Sequence, residues 1–210
     1  MKSLEKIRED LTSFIKTDIK GCEIRSKKES KLMRFVGKIM FFNKRFMTGF
    51  ITTWYPNIYV PELPWKEQDH APAISILAHE WVHLNDRKRM GWLFDLLYIS
   101  PQCLTAFSVF AFWNLWFLLF LLFLLPIPSP GRAWAEFRGY RMTIAINYWL
   151  SGRKVDLKWI VDQFVGSSYY FMWPFRSWLM KKFQKEFDKI KEDKLSTELL
   201  IIKNIIKRPS

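Results

Sequence analysis

Apolar residues recur at helical spacing over the start of the chain, where Leu4, Ile7, Leu11, Phe14 and Ile15 share one face and Gly21 stands where a helix commonly stops. A second, shorter helical pattern follows in Leu32, Phe35, Val36, Ile39 and Met40. The period then changes. FMTGFITTWYPNIYVPELP is rich in threonine, aromatic and β-branched residues and is broken by Pro56 and Asn57, which predicts a strand, a turn and a second strand. In APAISILAHEWVHLNDRKR no glycine or proline follows Pro72, and Ile74, Leu77, Ala78, Trp81 and Val82 form an apolar face; this predicts a buried helix ending in a basic cluster.

Between Asp95 and Arg132 the alternation stops, because no charged side chain occurs there. Within that interval LTAFSVFAFWNLWFLLFLLFLL exceeds the roughly 18 apolar residues that mark a membrane candidate. Helical patterning resumes in RAWAEFRGYRMTIAINYWL, passes a Ser-Gly turn and an amphipathic stretch from Val155 to Phe164, and ends in the charged helix KKFQKEFDKIKEDK. The basic tail after Leu195 is expected to fray. The predicted fold is mainly α with a small β-hairpin or sheet. A basic amphipathic helical region covers residues 1–45, a core with an apolar helical hairpin at 92–128 covers 46–150, and amphipathic and charged helices cover 151–210.

Composition narrows the function. A chain of 210 residues fits one domain, so one site is expected. The formal charge of +13 suits either nucleic acid or an anionic bilayer. The basic residues are spread through helices and no nucleic-acid module is visible, so the bilayer is the expected partner and nucleic acid is not. Cys22 and Cys103 lie in unlike settings and offer no disulfide or thiolate framework, which fits a reducing compartment. The amino terminus lacks the apolar core of a secretory signal.

The chemistry sits in HEWVH. Residues four apart project from one face of a helix, so His79 and His83 can offer two imidazole nitrogens to one ion while Glu80 points alongside. Zinc in such a site lowers the pKa of its water towards about 7, and Glu80 is the expected general base. His70, in the polar stretch before the helix, is not expected to be a ligand. A catalytic zinc commonly keeps three protein ligands. The longer form HExxHxxGxxH is ruled out, because Asp86 and Arg89 stand where it needs glycine and histidine.

Glu136 is the expected third ligand: it is the sole acidic residue between Asp95 and Asp156 and lies in an apolar, aromatic-rich helix where an unpaired carboxylate is costly. The competing arrangement is a surface ion pair with Arg132, Arg138 or Arg141. Tyr140, one turn beyond, is a candidate donor to a substrate oxyanion, and Asp86 a candidate to orient an imidazole.

These residues resemble the glutamate-type zincin metallopeptidases, in which HExxH on one helix and a glutamate on a later helix share the zinc. The likeness covers roughly residues 46–148. With apolar sequence between the ligand helices, the chain looks most like the membrane-embedded members: HtpX-type heat-shock proteases, CAAX prenyl proteases and β-lactam-sensor proteases. The resemblance implies a zincin-like α+β fold, zinc, peptide hydrolysis and a membrane. It also implies that TTWYPNIYVP is a strand beside the active-site helix, able to pair with an extended peptide. Tyr140 departs from it, standing where many members have an aspartate.

Chelation constrains topology. A single crossing would put His79 and His83 on one side of the bilayer and Glu136 on the other, so an even number is required. Leu96 to Gly131 is about 54 Å as continuous helix, enough for two short passes or a re-entrant hairpin turning near Trp113 and Asn114. Trp92 and Trp134 would mark one interface, and Trp113 and Trp116 would lie near the other. Arg87, Lys88, Arg89 and Arg132 place the catalytic side in the cytoplasm. The expected activity is membrane-associated zinc peptidase acting on peptides or proteins, membrane proteins among them. The alternative is a catalytically inactive membrane interaction or scaffold protein retaining a structural metal.

Overall fold

The structure is a computed structural model and describes residues 2–39, 43, 45–61, 70–125, 127–152, 155–167 and 171–207. Helix α1 (Leu4–Asp18) begins where the Ser3 side chain accepts from the Lys6 amide, and it buries Ile7, Leu11 and Ile15 on one face, as the spacing predicts. Gly21 follows with φ +79°, a left-handed conformation that costs glycine little. Strand β1 (Ile24–Ser26) is not predicted by the sequence. Its three residues carry no alternation of their own and are defined by parallel pairing with β3.

Helix α2 (Lys31–Ile39) precedes the predicted strand, turn and strand, now β2 (Thr52–Trp54) and β3 (Asn57–Val60), which pair antiparallel with Thr53 opposite Ile58. The sheet order is β1-β3-β2, leaving β2 at an edge. Lys27, next to β1, is fully buried, donates to the Phe46 carbonyl at 2.6 Å, and is pushed by burial down to about 8.

Helix α3 (His70–Met90) starts at His70, which the sequence places in the polar stretch before the helix, and its predicted apolar face is buried throughout. Each such Leu, Ile or Val side chain contributes about 1.5–3 kcal/mol on burial. Phe14 packs edge-on against Trp81 at 5.4 Å, and the Trp81 indole donates to Asp18 at 2.9 Å, locking α1 to α3. Helix α4 (Trp92–Ile99) leads into the apolar run, and α5 (Pro130–Ser151) follows it, with Pro130 at its first turn and Gly152 at its end with φ +62°.

Helices α6 (Leu157–Val165) and α7 (Arg176–Lys191) match the amphipathic and charged stretches. The tail departs from expectation. Thr197–Lys207 forms helix α8, with Leu199, Ile202 and Ile206 buried against the body. The basic flanks conceal an apolar stripe at helical spacing, and that stripe outweighs the terminal position. One core joins residues of α1, β3, α3, α5, α6, α7 and α8, so the three regions share a single packed interior.

The apolar run forms two 3-10 helices, Gln102–Phe112 and Leu115–Leu124, which pack on each other with the turn at Trp113 and Asn114. Aromatic contacts staple the arms, with Phe107 and Phe120 centroids 5.3 Å apart and Phe110 and Phe117 5.7 Å apart. The hairpin expectation is met in this form, but continuous membrane passes are not what forms. Among the described residues no single helix is long and apolar enough to cross a bilayer, and α4 meets the first arm at 84°. At about 2.0 Å per residue each arm reaches only about 20 Å, against about 30 Å of hydrocarbon. Neither arm buries a residue.

Candidate metal centre

Helix α3 is buried from Ala73 to Asp86 except at a few positions, and its tightest partner is α5. The pairing brings three side chains into one group: His79, His83 and Glu136. They are 8%, 6% and 2% exposed. His79 Nε2 lies 3.1 Å from His83 Nε2 and 3.4 Å from Glu136 Oε2, and His83 Nε2 lies 3.8 Å from Glu136 Oε1. A tetrahedral ion with ligand bonds of about 2.0–2.2 Å sets its ligands about 3.3–3.6 Å apart. The three side chains are therefore close enough together to hold a metal ion.

The protonation pattern points the same way. Thr143 donates its hydroxyl proton to the Gly139 carbonyl at 3.4 Å and lies 3.1 Å from His79 Nδ1. In the tautomer whose Nδ1–H donates to that hydroxyl, the His79 Nε2 lone pair faces the group. Glu136 Oε2, fully enclosed, has no hydrogen-bond partner, and neither has His83 Nδ1. Burial opposes charge on Glu136, yet the neighbouring His79 and His83 and the Tyr98 hydroxyl hold its carboxyl at about 2. Burial pushes the His83 imidazole down; against the same burial, Glu136 draws His79 up. An anionic carboxylate facing two imidazoles with an oxygen unsatisfied fits a cation.

The competing ion pair is not formed. Arg138 holds Asp86 through two bonds of 2.8 Å and reaches Glu198 at 3.1 Å. Arg132 donates to the Tyr98 carbonyl at 3.2 Å, and Arg141 turns to Ser196 and Glu186. Asp86 therefore does not orient an imidazole, as the sequence suggested. It is committed to Arg138 of α5, which holds both of its carboxylate oxygens. Thr143 is the residue that touches His79.

Glu80 is half-buried, and its Oε2 accepts a short hydrogen bond from the Thr53 hydroxyl of β2. The edge strand thus lies beside the motif helix. Tyr140 is buried, its ring edge-on to His79 at 4.9 Å and against Phe164 at 5.7 Å. His70 lies away from the cluster, along a groove with Glu5, Glu9 and Thr12 of α1.

Sequence reasoning missed Tyr98, whose hydroxyl donates to Glu136 Oε1 at 2.6 Å, and Gly139. A Cβ at Gly139 would meet His79 Nε2 at 2.5 Å, closer than such contacts occur. Glu136, Gly139 and Thr143 fall on one face of α5 at offsets of three and seven residues, so that signal was present in the sequence. Gly139→Ala is expected to displace the His79 ring and cut zinc affinity. Alanine favours the helix by about 0.5–1 kcal/mol over glycine, so helicity should persist. Zinc titration beside circular dichroism separates the two effects; undiminished affinity would show that the ring accommodates the methyl group.

Compared with known proteins, the chain matches no family model, no curated protein and no solved structure.

Proposed function

We propose that this chain is a zinc-dependent, membrane-associated metallopeptidase. The observation that carries the reading is the buried triangle of His79, His83 and Glu136 with Glu80 beside it on the partly exposed side. Those three residues would hold the ion, which would supply Lewis acidity to polarise a carbonyl and lower the pKa of a water to about 7. Glu80 accepts the proton of the attacking water and returns it to the departing amine. Thr53 holds the Glu80 carboxylate through Oε2, leaving Oε1 for that transfer. Edge strand β2 offers unpaired backbone groups to an extended peptide.

The reading is tested on the purified full chain by metal analysis alongside hydrolysis of an unstructured protein. Zinc bound stoichiometrically, with hydrolysis that a chelator abolishes, supports it. A chain that takes up no zinc overturns it.

Membrane association rests on the apolar hairpin. Val109, Phe112, Trp113, Leu115, Trp116 and Leu124 are each at least 65% exposed, a patch without a charged residue. Phe171, Phe175 and Trp178 are also exposed, and the Met172 carbonyl accepts from the Ser129 amide at 2.9 Å, which ties that aromatic segment to the hairpin's exit. Such a belt suits a headgroup layer, and arms of about 20 Å suit a re-entrant insertion from the cytoplasmic face. Leu119→Asp with Leu122→Asp, both at exposed positions, should abolish flotation with phosphatidylserine-containing vesicles, since each change costs about 3 kcal/mol in hydrocarbon. Equal flotation of both proteins would remove the hairpin as the anchor.

A further inference from the structure

We infer that Tyr98 is a positioning residue of the metal centre, one that fixes how Glu136 presents its carboxylate; the inference rests on the metal reading of His79, His83 and Glu136. The two carboxylate oxygens have different surroundings. Oε1 accepts from the Tyr98 hydroxyl at 2.6 Å, while Oε2 has no hydrogen-bond partner and lies 3.4 Å from His79 Nε2. A phenol donating to an ionised carboxylate makes a short, charge-assisted bond, and it occupies a lone pair that would otherwise be free to bind an ion. Glu136 is thereby directed to offer one oxygen rather than two. Single-oxygen ligation keeps three protein ligands and an open fourth position, which hydrolysis requires.

Tyr98 is itself well fixed. Its carbonyl accepts from Arg132 Nε at 3.2 Å, and that guanidinium lies 5.5 Å from its ring. On its other side the ring meets His83, centroids 6.2 Å apart, and Phe94 at 6.0 Å. Gly131 lets α5 press against α4 here, since a Cβ at that position would meet the Leu97 carbonyl oxygen at 2.2 Å. The helix bearing Tyr98 is the root of the apolar hairpin, so the segment between the ligand helices supplies part of the metal centre.

The test is zinc affinity of full-length Tyr98→Phe by competition with a chromophoric chelator, read with the visible spectrum of the cobalt-substituted protein. Removing a partner of a ligating group commonly costs 10–100-fold in affinity, and a loss in that range is expected. The cobalt bands are expected to weaken as a second carboxylate oxygen enters, while the melting temperature of the metal-free protein stays near wild type. A purely structural tyrosine would move that melting temperature and leave the cobalt spectrum unchanged. If the phenylalanine variant does not fold, Tyr98→Met, flexible and without a donor, takes the same test. Wild-type affinity and an unaltered spectrum in a folded variant overturn the role of Tyr98. A wild-type chain that binds neither zinc nor cobalt overturns the metal reading itself, so the two failures are distinct.

Discussion

Glu80→Gln is expected to lower kcat by about 10²–10⁴-fold, the range that a positioned general base contributes, while zinc stays bound as in wild type. Glu80 lies next to His79 in the chain but is not among the three residues whose donor atoms converge, so its replacement leaves the ligand set intact. The substitution conserves shape, and an amide oxygen still accepts from Thr53. What it removes is the capacity to take a proton from water. Substrate binding is not expected to suffer, so KM should hold and the loss should fall on kcat, the pattern of an interaction made only in the transition state. The measurement is hydrolysis of one peptide at saturating and sub-saturating concentration, with metal content determined on the same samples. The scaffold alternative predicts a different result: Glu80→Gln would leave every measurable property unchanged. Full hydrolytic activity in a zinc-loaded variant would remove Glu80 from the mechanism.

Which parts of this centre could be read in the sequence follows from how local each signal is. The motif helix was legible because its apolar face and its histidine spacing both belong to one stretch of backbone. Glu136 was legible through its isolation, and the burial at 2% gives that isolation its physical cost. The hairpin turn at Trp113 and Asn114 could be placed because those residues stand midway along the uncharged stretch. Strand β1 and the Tyr98 hydrogen bond were not legible, since each depends on a partner 34 or more residues away and has no periodicity of its own. The partner of Asp86 was hidden for a related reason. Its helical spacing from His83 was suggestive, but Arg138 on α5 offers a bidentate partner that only the packing of the two helices brings near.

Glu136→Gln is expected to abolish the stabilisation that zinc confers on the folded protein, and that loss is what identifies a ligand. In the zinc-loaded protein a neutral amide replaces the one anionic donor, so a buried dication would keep only neutral ligands. Affinity should fall by at least about 100-fold, beyond what outer-shell changes commonly cost. Tyr98 keeps an acceptor in the amide oxygen, so the loss cannot be assigned to that contact. In the metal-free protein the same change removes an anion that His79, His83 and the Tyr98 hydroxyl favour, and stability at neutral pH should fall. No arginine is left without its partner, because Arg132, Arg138 and Arg141 are engaged elsewhere. Thermal unfolding with and without zinc is the measurement. Zinc should raise the melting temperature of wild type and have little effect on the variant, since a ligand stabilises only to the extent that it binds the folded state. A carboxylate with a purely structural role would instead leave the zinc-induced increment intact. That result would return the group to a buried polar cluster and leave His79 and His83 without their third ligand.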